Sequence, residues 1–178
     1  MHFTMNLSGQ VNQMRLPKAK ALWPLFETIV NSIQSLEDMK ECEKPTVTVV
    51  ANRLDYGRLT TDGEEEINHF ENFVVTDNGE GFTEKNYKSF LEAYSTLKIA
   101  KGCKGIGRFL WLKAFAKVDV RSIYYENGKW YKREFEFSLK NVVEPEENCI
   151  EIEPPENMQN YTQVSLLGFK SDYRDEVA

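Results

Sequence analysis

Apolar residues recur along this chain with two different periods, and the switches between them outline the fold. Over residues 18–40 the period is helical. Leu22, Phe26, Ile29, Ile33 and Leu36 make an apolar stripe, while Glu27, Asn31 and Gln34 cluster on another face, roughly opposite. Pro17 suits an early position in such a helix. Residues 46–51 alternate as a strand, and the polar stretch 53–66, with Gly57, Gly63 and three consecutive glutamates, reads as a loop. A second strand covers 69–76. Its Phe73-Val74-Val75 centre is that of a buried strand, and the residues after Asp77 force a turn. A short helix over 84–94, a basic glycine-bearing loop over 95–106 and an apolar helix over 107–117 follow. Strands over 118–126 and 129–139 are joined by Asn127-Gly128, a strong hairpin signal. Two more strands, 148–152 and 161–167, complete the pattern.

Helices come early and strands accumulate late. That order predicts an α+β fold, a two-layer α/β sandwich with helices on one face of a mixed, mainly antiparallel sheet. It argues against a doubly wound parallel sheet, in which strands and helices alternate throughout. At 178 residues the chain suits a single domain with a substantial core. No apolar run approaches the length of a membrane helix, and the N-terminus lacks the basic start and apolar stretch of a signal peptide. Cys42, Cys103 and Cys149 are odd in number and far apart, which points to free thiols in a reducing, cytoplasmic compartment. His2 and His69 sit in no metal-ligand spacing.

The net charge of −6 argues against a broad nucleic-acid surface. Locally the balance reverses: Lys98, Lys101, Lys104, Arg108, Lys113 and Lys117 fall in one stretch without an acid. Gly102, Gly105 and Gly107 lie among these charges. Their spacing approaches a P-loop, but Arg108 and Phe109 stand where that motif needs Lys and Ser or Thr. The dinucleotide pattern fails as well, because Gly105-Ile106-Gly107 is followed by Arg108, Phe109 and Leu110. What is left is a glycine-rich basic loop feeding a helix N-terminus, where backbone N–H groups and the helix dipole favour an anion. Two further segments carry chemistry. Glu27 and Asn31 lie one helical turn apart and face the same way. Asp77 sets an acceptor-only carboxylate at the mouth of a glycine turn, able to select an amino group over a carbonyl oxygen.

In this order, the segments Glu27-Thr-Ile-Val-Asn31-Ser32, Asp77-Asn-Gly79-Glu-Gly81-Phe82 and Gly102-Cys-Lys-Gly105-Ile-Gly107-Arg108 resemble the ATP-binding domain shared by gyrase, heat-shock chaperones of the ninety-kilodalton class, histidine kinases and MutL, the GHKL superfamily. The resemblance runs from about Ala19 to Leu167 and implies the Bergerat type of sandwich. It implies that Asp77 accepts a hydrogen bond from the adenine amino group and that Gly79 and Gly81 let the base approach the backbone. It implies that Thr162, in Thr162-Gln-Val164, supports Asp77, that Asn31 binds the Mg2+ bridging the phosphates of ATP, and that Glu27 is the general base for the attacking water. Gly102, Gly105 and Gly107, with Lys104, Ile106 and Arg108 between and beside them, match the glycine box of an ATP lid. Ser95, Thr96 and Lys98 resemble the Ser/Thr/Lys stretch of MutL-like lids.

The expected activity is therefore Mg-dependent ATP hydrolysis driving a conformational switch, with an ATP-dependent homodimer and downstream domains of the same protein as partners. Gln34 departs from the family pattern, where many relatives carry an aspartate, which leaves the hydrolysis rate open. Hydrolysis by this segment alone is expected to be slow, because no segment beyond Leu167 is long enough to form the following domain whose lysine contacts the terminal phosphate in many relatives. A nucleotide-binding interaction module with little hydrolysis is the alternative. A histidine kinase catalytic domain is a third reading, disfavoured because neither histidine suits a phospho-acceptor. Residues 170–178 follow directly on the last expected pocket strand, as in an N-terminal domain of a longer protein.

Overall fold

The computed structural model describes residues 7–39, 44–53, 69–92, 107–139 and 148–177. Helix α1 (Leu7–Gln13) and a 3-10 turn (Lys18–Lys20) lead into α2 (Trp23–Glu37). Strands β1 (Val47–Arg53) and β2 (Phe70–Asp77) follow, then α3 (Glu84–Glu92) and α4 (Gly107–Ala114). The C-terminal half holds β3 (Phe115–Glu126), β4 (Lys129–Ser138), β5 (Cys149–Ile152) and β6 (Tyr161–Phe169), closed by the short helix α5 (Ser171–Arg174).

The six strands form one sheet in the order β1-β2-β6-β3-β4-β5, and every pairing among the described residues is antiparallel, so the expected mixed sheet is corrected to an antiparallel one. The last strand, β6, inserts between β2 and β3 and joins the two halves of the chain. It also brings Thr162 opposite both Asp77 and Ser122. The β3–β4 hairpin turns through Asn127 (φ 52°) and Gly128 (φ 84°), both left-handed, as the Asn-Gly signal requires.

One face of the sheet carries the core. Phe73, Val75, Val118, Val120, Phe135, Phe137, Val164 and Leu166 alternate along their strands and pack under Phe90, Phe109, Trp111 and Leu112 of α3 and α4. Rings interlock across the layers: Phe115 stacks on Phe169 at 4.8 Å, and Phe90 lies 5.2 Å from Phe135. The opposite face is charged. Lys117 bridges Asp119 (3.1 Å) and Glu136 (2.9 Å), and Arg121 pairs with Glu134 (3.2 Å).

Three local expectations are corrected. The helix expected over 107–117 ends at Ala114, because Phe115 already pairs with Phe169 in the sheet. The helix expected over 18–40 begins at Trp23, with Pro24 in its first turn, whereas Pro17 precedes the 3-10 turn. The third correction concerns which face α2 buries. Leu22 and Ile29 pack on the core only in part, Phe26 and Ile33 are exposed, and the deeply buried positions are Pro24, Leu25, Thr28 and Ser32. The helix is rotated because polar ties to the β2 turn hold it. Ser32 Oγ donates to Asp77, and the Ser35 carbonyl accepts from Glu80 N at 3.2 Å. Small side chains at 32 and 35 permit that close approach.

Candidate functional site

The two ties of α2 to the end of β2 and its turn build the floor of a cavity. Asp77 is the last residue of β2 and is 5% exposed. Ser32 Oγ donates to its Oδ2 at 2.6 Å, and Gly79 N donates to its Oδ1 at 3.0 Å. Each carboxylate oxygen thus has one donor and keeps a second lone-pair direction for a ligand. Burial pushes the Asp77 carboxyl above its ordinary value of 3.8, opposed by the Ser32 and Gly79 hydrogen bonds.

The turn after Asp77 is held at almost every residue. Asn78 ties it to the start of β1, accepting from Thr46 N at 2.8 Å and donating to the Lys44 carbonyl at 2.9 Å. Asn160 Nδ2 donates to the Gly79 carbonyl at 3.0 Å, and Asn86 Nδ2 to the Gly81 carbonyl at 2.8 Å. Phe82 N donates to Ser122 Oγ at 3.0 Å, and Ser122 Oγ shares a 2.9 Å hydrogen bond with Thr162 Oγ1. The two glycines are required by protein packing. A Cβ on Gly79 would lie 2.4 Å from Ser35 Oγ, and one on Gly81 (φ +80°) would lie 2.9 Å from Ser122 Oγ and Tyr124 Cβ. The side of each glycine that lacks a side chain therefore faces α2 or the sheet.

The cavity above this floor has a volume of about 210 Å³. Thr28, Asn31, Ser32, Gln34, Ser35 and Asp38 of the α2 segment form a polar wall. Phe82, Phe90, Trp111 and Val164 form an apolar one, with Asp77, Gly81 and Thr162 between them. Trp111 keeps its indole N–H buried and without a partner among the described residues. A polar edge facing an apolar slot, with an acceptor at the bottom, suits a flat heteroaromatic ring that carries a donor.

The structure gathers Asn31, Asp77, Gly81 and Thr162 around this cavity, with Gly79 next to Asp77. Glu27 is half-buried on α2 and is not among the lining residues, so it stands apart from the group it was expected to join. Gly107 and Arg108 open α4. Ser95, Thr96, Lys98, Gly102, Lys104, Gly105 and Ile106 lie outside the described residues, as do Cys42 and Cys103. Two members of the basic stretch are engaged elsewhere. Lys113 donates to the Asn12 carbonyl at 3.3 Å, and Lys117 belongs to the ion pairs on the far face of the sheet.

Ser32 and Ser122 were not anticipated, although both hold the site together. Ser32 had a readable signal, since Thr28 and Ser32 repeat at a helical turn on a face that would otherwise be apolar. Ser122 had none, because only strand order places it opposite Thr162.

Among the described residues no group of three or more His, Cys, Asp or Glu side chains could hold a metal ion. No described helix is long and apolar enough to cross a membrane. No protein-family model matches the chain, and neither does any curated protein.

Proposed function

We propose that this chain is an ATP-binding domain of the GHKL type, with the adenine seated on Asp77. The observation that carries this reading is the buried Asp77 carboxylate, held by Ser32 and Gly79 on the cavity floor with acceptor capacity to spare. Adenine presents an exocyclic amino donor where guanine presents a carbonyl oxygen, so an acceptor-only group selects the former. Ser32 and Gly79 fix the carboxylate in place, and Ser122 and Thr162 brace the turn beneath it. The volume of about 210 Å³ falls below the roughly 300–1,000 Å³ of pockets that enclose a whole drug-sized ligand. It accommodates the base, with the phosphates lying along the Asn31 side of α2.

Asn31 fits the role of a magnesium ligand by the chemistry of its donor. Mg2+ takes oxygen ligands and retains several waters, so one amide oxygen together with phosphate oxygens is sufficient without the all-protein cage that the described residues lack. Magnesium would neutralise phosphate charge there. Glu27 is the candidate to orient or deprotonate the attacking water. Its place away from the cavity wall favours the second reading, a nucleotide-binding module in which hydrolysis is slow or missing.

Calorimetric titration with ATP and GTP, with wild type and Asp77→Asn, tests the binding claim. ATP is expected to bind and GTP to bind far less, and Asp77→Asn should weaken ATP by about 1.5–3 kcal/mol, the worth of a hydrogen bond to a charged group. Equal ATP affinity for the two proteins would remove Asp77 from the site. Phosphate release by wild type and Glu27→Ala then separates the two readings: a loss with Ala supports an ATPase, and equal, negligible rates support the binding module.

A further inference from the structure

Helix α2 turns its largest apolar side chains away from the rest of the protein. Trp23, Phe26, Val30 and Ile33 are 47%, 54%, 45% and 44% exposed, while Thr28 and Ser32 are buried beneath them. Their spacing of three, four and three residues places them on one stripe, along about 15 Å of helix. Single exposed apolar residues are ordinary on protein surfaces, but four large ones in a row mark a contact surface. The stripe borders the cavity-lining face of α2: Asn31 and Ser35 lie beyond its edge, while Gln34 and Asp38 line the cavity from that edge.

Its two ends carry opposite charge. Lys20 precedes Trp23, and its ammonium sits 3.8 Å from the Trp23 ring centre, whereas Lys18 is paired with Glu176 at 3.2 Å. Glu37 continues the stripe one turn beyond Ile33, with Asp38 beside it. A stripe that is basic at one end, apolar along its length and acidic at the other is complementary to itself in antiparallel orientation. A two-fold axis through Val30 sets Phe26 against the partner's Ile33 and Trp23 beside the partner's Glu37. Lys20 is then within reach of the same carboxylate.

We propose that two copies of this chain associate through this face, as an isologous antiparallel pair of α2 helices. The pairing is inferred from the helix surface alone, not from what the cavity binds. A single helix face buries less than the roughly 1,200 Å² at which stable specific interfaces begin, so the dimer is reversible and its population depends on concentration.

Sedimentation equilibrium of the full chain without nucleotide, over a wide concentration range, tests this. Wild type is expected to pass from monomer to dimer as concentration rises, and Phe26→Asp and Ile33→Asp to remain monomeric with unchanged circular dichroism. Lys20→Glu and Glu37→Lys should each raise the dissociation constant on the order of tenfold, because two rim pairs are reversed in every dimer. The double variant Lys20→Glu/Glu37→Lys should return it toward wild type, a rescue that only an antiparallel self-pairing produces. A wild type that stays monomeric, apolar variants that still dimerise, or a double variant no better than the single ones would each overturn the proposal. ATP affinity measured on the same samples keeps its failure separate from a failure of the nucleotide reading.

Discussion

At the scale of single residues the decisive feature is a carboxylate that the fold keeps out of water. Burial raises the Asp77 carboxyl from 3.8, and two hydrogen bonds limit the rise. Below that pH the group is protonated in folded and unfolded chains alike. As pH climbs, the unfolded chain ionises first, so the contribution of Asp77 to stability is full at low pH and is lost as pH passes through the raised folded value. Urea unfolding of wild type and Asp77→Asn across acid pH should show this. The stability of wild type relative to the variant should decline from about pH 3.8 upward and level off once the folded carboxyl has ionised. A difference that does not change with pH would mean the group titrates normally. Ser32→Ala removes the 2.6 Å donor to this carboxylate and should destabilise the protein by about 1.5–3 kcal/mol, read from the same urea curves. It should also weaken ATP, because the carboxylate loses the group that orients it.

At the scale of elements, the contact between α2 and the β2 turn sets the rotation of the helix. Periodicity located this helix but misjudged its buried face. A hydrophobic stripe reports where apolar surface is, and here the closest contact is made by Ser32 and Ser35, which are small enough to admit the glycine turn. Gly79→Ala would drive a Cβ to 2.4 Å from Ser35 Oγ and 2.8 Å from the Ser35 backbone. It should cost about 1–3 kcal/mol, as overpacked sites do, and abolish nucleotide binding by pushing the turn off α2. Gly128→Ala meets nothing within 4 Å and is strained only by its φ of +84°, so it should cost about 1–2 kcal/mol and leave ATP affinity unchanged. Thermal unfolding and calorimetry on the two variants distinguish a packing glycine from a turn glycine. Equal effects on binding would show that the α2 contact is not part of the site.

At the scale of the whole molecule, ligand binding and folding are linked because the cavity joins α2, the β2 turn, α4 and β6, which come from both halves of the chain. ATP at about one hundred times its dissociation constant should stabilise the fold by about 2.7 kcal/mol. For a chain of this size each kcal/mol moves the melting temperature by roughly 2–4 °C. Scanning calorimetry should show that shift with ATP and half of it or less for Asp77→Asn at the same concentration, since a loss of about 1.5–3 kcal/mol in affinity leaves about 0.3–1.3 kcal/mol of stabilisation. An undiminished shift in the variant would place the ligand elsewhere. The chain by itself was sufficient for α2, α3, α4 and the six strands, though not for α1 or α5, since the strands, the Asn127-Gly128 hairpin and the Asp77 turn are written in local periods and turn residues that need no distant partner. It also placed Asn31, Asp77 and Thr162 in one pocket, because their spacing resembles a known arrangement. Two things were decided only in three dimensions. One is the insertion of β6 between β2 and β3, which creates the Asp77–Thr162–Ser122 row from residues far apart in sequence. The other is the turning of α2, which buries Ser32 and leaves Trp23, Phe26, Val30 and Ile33 facing outward. Periodicity ranks the faces of a helix by polarity, whereas a folded helix is oriented by the contacts that fit most closely, here one hydrogen bond to a buried carboxylate and a glycine turn against a serine.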